Sequence, residues 1–351
     1  MKWKSAALLT TICFAFVISK IGLGCTGERR NESGQQEEFD YLITVGMVQG
    51  GEDSLWKDAN TESFQSIFTE ENGYKFLFED AGMDQEKQID AIKGFADEGV
   101  DYILLNPVAE MGWEEVLEDV KKAGSSLIIV NRQIDENDTM QYECWIGSNY
   151  EDQGKQAMKW LEDNLEGEEE KETTKDTEEQ EVNEEELNIA MIQGSIGSPE
   201  QMERAEGYQK ILSKHPEWRI VGQQTAENDR VTAKEVMTLF LDQEIELDVV
   251  IAESDQMALG VIDAFEERKI SYGEGGDVIL ISFDAGKEGL KAVQDGKVNV
   301  TFECTPLIAP KTAEIIQKLE AGINIEKKQY VKENYYDFNS DLGEVIENRS
   351  Y

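Results

Sequence analysis

Residues 125–133 read SSLIIVNRQ. The run Leu127-Ile128-Ile129-Val130 is apolar and largely β-branched without alternation, the pattern of a strand covered on both faces. It passes without a turn signal into Asn131 and Arg132. A doubly covered strand that ends on an amide and a guanidinium puts those groups either on the bare surface or in a cleft at its carboxyl end. The neighbouring sequence decides between the two.

Working backwards, short apolar runs alternate with longer amphipathic stretches: YLITVGMV, a helix over 56–72, YKFLFED, a helix over 84–98, YILLNP, and a helix over 112–123 leading into SLIIVN. This is repeated βα organisation, which implies a parallel sheet. Glycine in ENGY and KAGS follows the last helical turn, where a left-handed residue is needed. Working forwards, CWIGSN and a helix over 150–165 lead to EGEEEKETTKDTEEQEVNEEE, residues 166–186, with twelve acidic residues against two lysines. So little apolar surface cannot offset the entropy of ordering, and the stretch reads as a disordered surface insertion, with cation or partner binding as the alternative.

The βα pattern then restarts: LNIAMIQG, a helix over 199–215, WRIVGQQTA, a helix over 229–241, LDVVIAE, a helix over 255–267, DVILISFD, a short helix, VNVTFEC and a helix over 306–321. Two doubly wound, Rossmann-like α/β lobes of similar size fit a chain of 351 residues.

The amino terminus has two early lysines, an apolar stretch from Ala6 to Ser19, and small residues leading to Cys25, the layout of a secretory signal over residues 1–24. Its apolar stretch is shorter than the roughly 20 residues a membrane span needs. GLGC followed by a polar tether over 25–37 resembles the lipobox of bacterial lipoproteins, which implies lipid attachment at Cys25 and a membrane anchor. Gly22 replaces the usual Leu and Lys20 interrupts the apolar run, and a simple cleaved signal is the alternative. Cys144 and Cys304 remain, either as buried free thiols or as one bridge. The single histidine, His215, offers no catalytic or metal cluster and reads as a loop residue.

The formal charge is 33 minus 74, or −41, so phosphate backbones are repelled and nucleic acid is not a partner. No G-x-G-x-x-G follows the first strand, and there is no P-loop, nucleophile elbow or Cys/His pair. Neither a cofactor nor a metal is expected, and catalysis has no positive signal, although paired carboxylates leave a glycoside-acting enzyme as a remote alternative.

In open α/β sheets ligands bind outside the carboxyl ends of the strands. Those ends read Gln49-Gly50-Gly51, Asn106-Pro107, Asn131-Arg132, Gln193-Gly194, Glu253-Ser254-Asp255, Phe283-Asp284 and Glu303-Cys304. Acceptors for hydroxyls, planar guanidinium donors and an aromatic face are what a sugar requires. Trp56 can stack on a ring, Asp284 can accept hydroxyl protons, and Arg132 and Arg204 can donate in pairs. The plainer readings are helix-start packing for Trp56, a surface ion pair of Arg204 with Glu200 or Glu203, and a helix cap for Asp284. Trp113 reads as packing and Asp255 as the cap of the helix that follows it. Asn106 before proline reads as a strand terminator as much as a contact.

LWKDANTESF, NPVAEMGWEEVLEDVKKAG, IIVNRQID, QMERAEGYQKIL, ESDQMALGVIDAF, ISFDAG and TFECTP, spread in order over residues 41–310, resemble the type 1 periplasmic binding proteins of the ribose and galactose class. NPVAEMGWEEVL points to the galactofuranose-type branch. The resemblance implies ligand contacts at Trp56, Lys57, Asn106, Asn131, Arg132, Arg204, Ser254 and Asp284. Asn131 stands where Asp is usual, Ser254 where Asn is common, and Cys304 where ribose-type members have Gln, which leaves the sugar open. It also implies a three-segment hinge with crossings near Ser148, Thr305 and Tyr335. One lobe would hold 38–148 plus 305–335, the other 149–304 plus 336–351. The expected protein is an exported monomer that closes on a monosaccharide and docks on the permease of an ABC importer. A sensor presenting its closed form to a chemoreceptor or sensor kinase is the alternative.

Overall fold

A computed structural model describes residues 41–135, 141–172 and 186–351. In chain order it runs β1 (Ile43–Gln49), α1 (Leu55–Ile67), β2 (Tyr74–Asp80), α2 (Gln85–Glu98), β3 (Tyr102–Leu105), α3 (Glu114–Ala123), β4 (Ser126–Val130) and β5 (Cys144–Gly147). The second run is α4 (Tyr150–Glu172), β6 (Leu187–Gln193), α5 (Pro199–Leu212), β7 (Trp218–Thr225), α6 (Arg230–Asp242), β8 (Val249–Ala252), α7 (Asp255–Arg268), β9 (Ile279–Asp284), α8 (Lys287–Gln294) and β10 (Val300–Glu303). Last come α9 (Ala309–Glu320), β11 (Lys328–Tyr330), β12 (Tyr335–Asp337) and α10 (Leu342–Asn348).

Along β1 the side chains alternate between two helical layers, as the two-residue period of a strand requires. Val45 and Met47 pack with Phe64 of α1 and Ile315 and Ile316 of α9. Val48 packs with Ile92 of α2 and Val116 and Leu117 of α3. The second sheet repeats the plan: Ile189 and Met191 face α4 and α5, and Ala190 and Ile192 face α6 and α7. Burial on both faces is why the strands read as unbroken apolar runs.

The strand orders are β11-β5-β4-β3-β1-β2 and β12-β10-β9-β8-β6-β7. In each, the order reverses beside the first strand of the lobe, the switch point at which open α/β sheets bind ligands. Pairing is parallel except between β10 and β12, which is antiparallel, a departure from the all-parallel expectation. The chain passes between the sheets after β5, after β10, and between β11 and β12. Tyr335, expected to end the first lobe, instead opens β12 of the second sheet, paired with Phe302.

Other boundaries move for local reasons. The helix expected over 56–72 ends at Ile67, and a separate 3-10 turn at Glu70–Asn72 follows, closed by Gly73 at φ 89°. Gly124 closes α3 in the same left-handed conformation. The acidic insertion expected to be disordered from residue 166 is helical at first, since α4 continues to Glu172. The signal segment, Cys25, and residues 136–140 and 173–185 lie outside the described residues. Among the described residues no helix is long and apolar enough to cross a membrane.

Candidate functional site

At the carboxyl ends of β1, β3 and β4 three amides form a chain. Gln49 accepts from Asn106 Nδ2 at 3.0 Å, and Asn106 Oδ1 accepts from Asn131 Nδ2 at 3.3 Å. Gln49 in turn donates to Asn60 of α1 at 3.2 Å. Asn131 holds φ 65°, a left-handed conformation that Asn tolerates better than most residues. Its carbonyl accepts from the Trp145 indole at 2.9 Å. Asn106 is therefore more than a strand terminator; it is the buried middle member of a polar row.

Trp56 and Lys57 both sit in the first turn of α1, whose cap is Ser54. The Trp56 indole N–H donates to the Cys304 carbonyl at 2.9 Å, which fixes the ring against the crossing segment after β10. Lys57 is buried, and its ammonium reaches the Gly51 carbonyl at 3.1 Å, Asp53 at 3.1 Å and Asp80 at 3.0 Å. An ammonium has three N–H groups, so these acceptors occupy it, and Lys57 shapes the β1–α1 loop. Arg132 points across to the other lobe, 3.9 Å from Glu200 of α5, and its neighbour Gln133 donates to Glu203 at 3.0 Å. The two carboxylates considered as partners for Arg204 thus face the opposite lobe instead.

Arg204 is 3% exposed on α5. Its Nε and one terminal nitrogen donate to Gln153 Oε1 at 3.1 and 3.0 Å, and the other terminal nitrogen donates to the Glu253 carbonyl at 2.9 Å. The guanidinium lies 4.3 Å over the Phe283 ring and 5.4 Å from that of Tyr150, a cation–π arrangement that holds it flat. Five N–H groups less three engaged leaves two available to a ligand. Beside it, Asp284 ends β9 at φ 98°. Its Oδ2 accepts from the Asp255 backbone at 3.3 Å. Burial, and then the neighbouring Asp255, push its carboxyl well above the usual carboxylate range. It does not cap the helix that follows: the N-cap of α8 is Gly286.

Ser254, not Asp255, is the cap of α7: its backbone is extended and its hydroxyl accepts from the Met257 N–H at 3.2 Å. The cap belongs to the last non-helical residue. Asp255 lies one step inside, and its carboxylate turns inward to accept from Ser282 at 2.7 Å, Thr301 at 3.0 Å and the Gly286 N–H at 2.7 Å. Glu303 accepts from Arg349 at 2.5 Å and from the Tyr351 hydroxyl at 3.1 Å, and so anchors the tail. Cys144 and Cys304 are both free and buried. Trp113 is packed in the first lobe and donates to the Ala109 carbonyl at 2.8 Å. Among the described residues no group of three or more His, Cys, Asp or Glu converges as a metal site.

A family model described as a periplasmic binding protein domain matches residues 45–322. The chain belongs to the periplasmic binding protein family. It is 29% identical over 298 residues to the galactofuranose-binding protein YtfQ of Escherichia coli, covering 84% of this chain and 87% of that one. A Mycobacterium smegmatis structure in complex with β-D-fucofuranose is 33% identical, with TM-score 0.70 over 85% of this chain and 92% of that one. The binding component of an arabinose ABC transporter from a Shewanella species, bound to α- and β-L-arabinofuranose, is 30% identical, with TM-score 0.73 over 87% and 95%. Its two α/β lobes and its class are those the motifs implied, and the family consists of solute-binding proteins rather than enzymes.

In this periplasmic binding protein the strand ends disclose only part of the site. Phe283 was named among the strand ends but not as the ring under Arg204, while Gln153, which holds Arg204, and Tyr150, which flanks it, lie outside those ends. Gln153 sits one turn into α4 and donates to Glu333, in the last crossing segment, at 2.8 Å, so neither belongs to a strand end. His215 also departs from its reading as a solvated loop residue: it stacks on Trp218 at 4.0 Å and 14° and is held by Glu162 at 2.9 Å and Glu217 at 2.8 Å.

Proposed function

We propose that this protein captures a monosaccharide between its two lobes, a furanose first among them, as the solute-binding component of an ABC-type importer outside the cytoplasmic membrane. The observation that carries the reading is Arg204. A guanidinium buried to 3% exposure, stacked on Phe283 and left with two spare N–H groups beside Asp284, is costly unless a hydroxylated guest supplies acceptors. Asp284 supplies the matching acceptor, the amide row of Gln49, Asn106 and Asn131 lines the opposing strand ends, and Trp56 offers an aromatic surface. Relatives that hold furanoses at 30% identity or more support the ring form.

In this reading residues 41–148 with 305–334 form one lobe and 149–304 with 335–351 the other. The guest stabilises the closed arrangement because only there do both sets of groups reach it. The closed form is what the permease recognises, and lipid on Cys25 keeps the protein at the membrane. No bond is made or broken.

The test is a calorimetric and thermal-shift panel of L-arabinose, D-galactose, D-fucose, D-ribose, D-fructose and myo-inositol. At least one furanose-forming sugar should bind, and Arg204→Ala and Asp284→Ala should each weaken it by about tenfold or more. Sugars that stabilise both variants as well as the native chain would place the site elsewhere, and steady turnover of a glycoside would make the protein an enzyme.

A further inference from the structure

Arg204 does not set its own position. Its helix, α5, lies against α4 closely enough that a Cβ on Gly207 would overlap the Glu151 carbonyl oxygen and one on Gly154 would overlap the Arg204 carbonyl oxygen. Two glycines therefore let the backbones approach until Gln153 meets the guanidinium. The Gln153 amide has a donor end and an acceptor end. Its oxygen receives both Arg204 bonds, and its nitrogen donates to the Glu303 carbonyl at 3.0 Å and to Glu333 Oε2 at 2.8 Å.

Glu333 stands where the three crossings meet. Its Oε1 accepts from the Ser148 hydroxyl at 2.7 Å, in the first crossing, and from the Thr305 N–H at 2.9 Å, in the second; Glu333 itself belongs to the third. We propose that Glu333 is a positioning residue: acting through Gln153, it orients Arg204 for the bound sugar and ties that orientation to the arrangement of the three crossings.

The argument rests on polarity. Three donors converge on Glu333, and an ionised carboxylate only accepts. A glutamine at 333 must present its NH2 to one side. Facing Gln153, it forces that amide to turn over and sets an NH2 against the guanidinium, which can only donate. Facing Thr305, it leaves a hinge N–H without an acceptor. The Ser148 hydroxyl can rotate and adapt, but the backbone N–H cannot. Burial raises the Glu333 pKa, in keeping with a carboxylate enclosed by the crossings and not by solvent.

The inference rests on the sugar-binding reading, so its test has one arm that needs no sugar. In the ligand-free protein the Arg204 Nε–H should give a slowly exchanging nitrogen-15 NMR signal, assigned by its loss in Arg204→Lys. Glu333→Gln should shift that signal and speed its exchange by about tenfold or more while the core methyl signals stay in place. In calorimetry with L-arabinose the same variant should bind about tenfold more weakly. Glu333→Asp is shorter but keeps a carboxylate, a group that only accepts. It should bind more tightly than Glu333→Gln although glutamine is nearer in size, whereas a merely structural role would rank the two the other way.

If Glu333→Gln does not fold, Gln153→Leu leaves the Ser148 and Thr305 bonds in place and must by itself abolish the slow exchange of the Arg204 signal. An unchanged Arg204 signal in Glu333→Gln or Gln153→Leu overturns the proposal, as does a Glu333→Asp variant that binds no better than Glu333→Gln. If native protein ignores every sugar, the functional reading fails while the NMR arm still decides whether Glu333 positions Arg204.

Discussion

Asp284 separates binding from stability at a single residue. Its carboxyl is raised by burial and by Asp255, so the ionised form is a strain on the ligand-free fold that the hydroxyls of the proposed sugar would relieve. Asp284→Asn keeps an acceptor for the Asp255 N–H and suits the left-handed backbone at φ 98°. The ligand-free variant should therefore melt a few degrees higher than native at pH 8, while sugar affinity falls about tenfold or more. A lower melting temperature for Asp284→Asn would mean that the carboxylate is stabilising and the account of its environment is wrong. Arg132 and Arg204 look alike in sequence, yet one is half-exposed opposite Glu200 and the other is enclosed by Gln153 and Phe283. The residue type was legible from the chain, and the partner was not, because the partners come from other elements.

At the scale of elements, the α4–α5 contact brings Gln153 to Arg204, and glycine makes that contact possible. Gly207→Ala places a methyl against the Glu151 carbonyl and the Lys155 nitrogen, so the helices must separate. Urea unfolding should show a loss of about 1–3 kcal/mol, the usual cost of overpacking, together with weaker sugar binding. Gly94→Ala on α2 is the control: nothing lies within 4 Å of the added methyl, and the helix should gain roughly 0.5–1 kcal/mol with binding unchanged. Equal effects at both glycines would show that helix propensity and not the close approach governs Gly207. Periodicity predicted these helices, but not their ends. The last turn of a helix depends on what its carbonyls meet, so α1 stops at Ile67 and α4 runs on to Glu172.

For the whole molecule, charge sets the response to pH. Glu203, Glu253, Asp255, Asp284 and Glu333 all titrate above the ordinary range, foremost because of burial. Such groups bind protons more tightly in the fold than in the unfolded chain, so stability falls as pH rises from about 4 through their folded values. Burial alone would lower the His215 pKa, but its hydrogen bonds to Glu162 and Glu217 outweigh that and raise it. Its contribution is full below about 6.5 and is lost above its folded value. Glu162, Asp263, Glu266 and Glu314, lowered by bonds to basic partners, act in the opposite sense and are lost only as pH falls below about 4. A net charge of −41 adds self-repulsion above that point. The melting temperature of the ligand-free protein should therefore peak near pH 5–6 and decline towards pH 8. A maximum at or above pH 7.5 would contradict the burial of those carboxylates.

The sequence by itself determined the two α/β lobes, the carboxyl strand ends at which such sheets open, and the residue types found there. Apolar period, glycine punctuation and strand termini are local properties, carried by neighbours in the chain. Only the tertiary structure decided which of those side chains find partners within the fold. Lys57 meets Asp53 and Asp80, the Ser254 hydroxyl caps α7, and Arg204 is held by Gln153, whose amide nitrogen meets Glu333. Gln153 and Glu333 lie 180 positions apart, and no local pattern records a hydrogen bond that exists only after the crossings have formed.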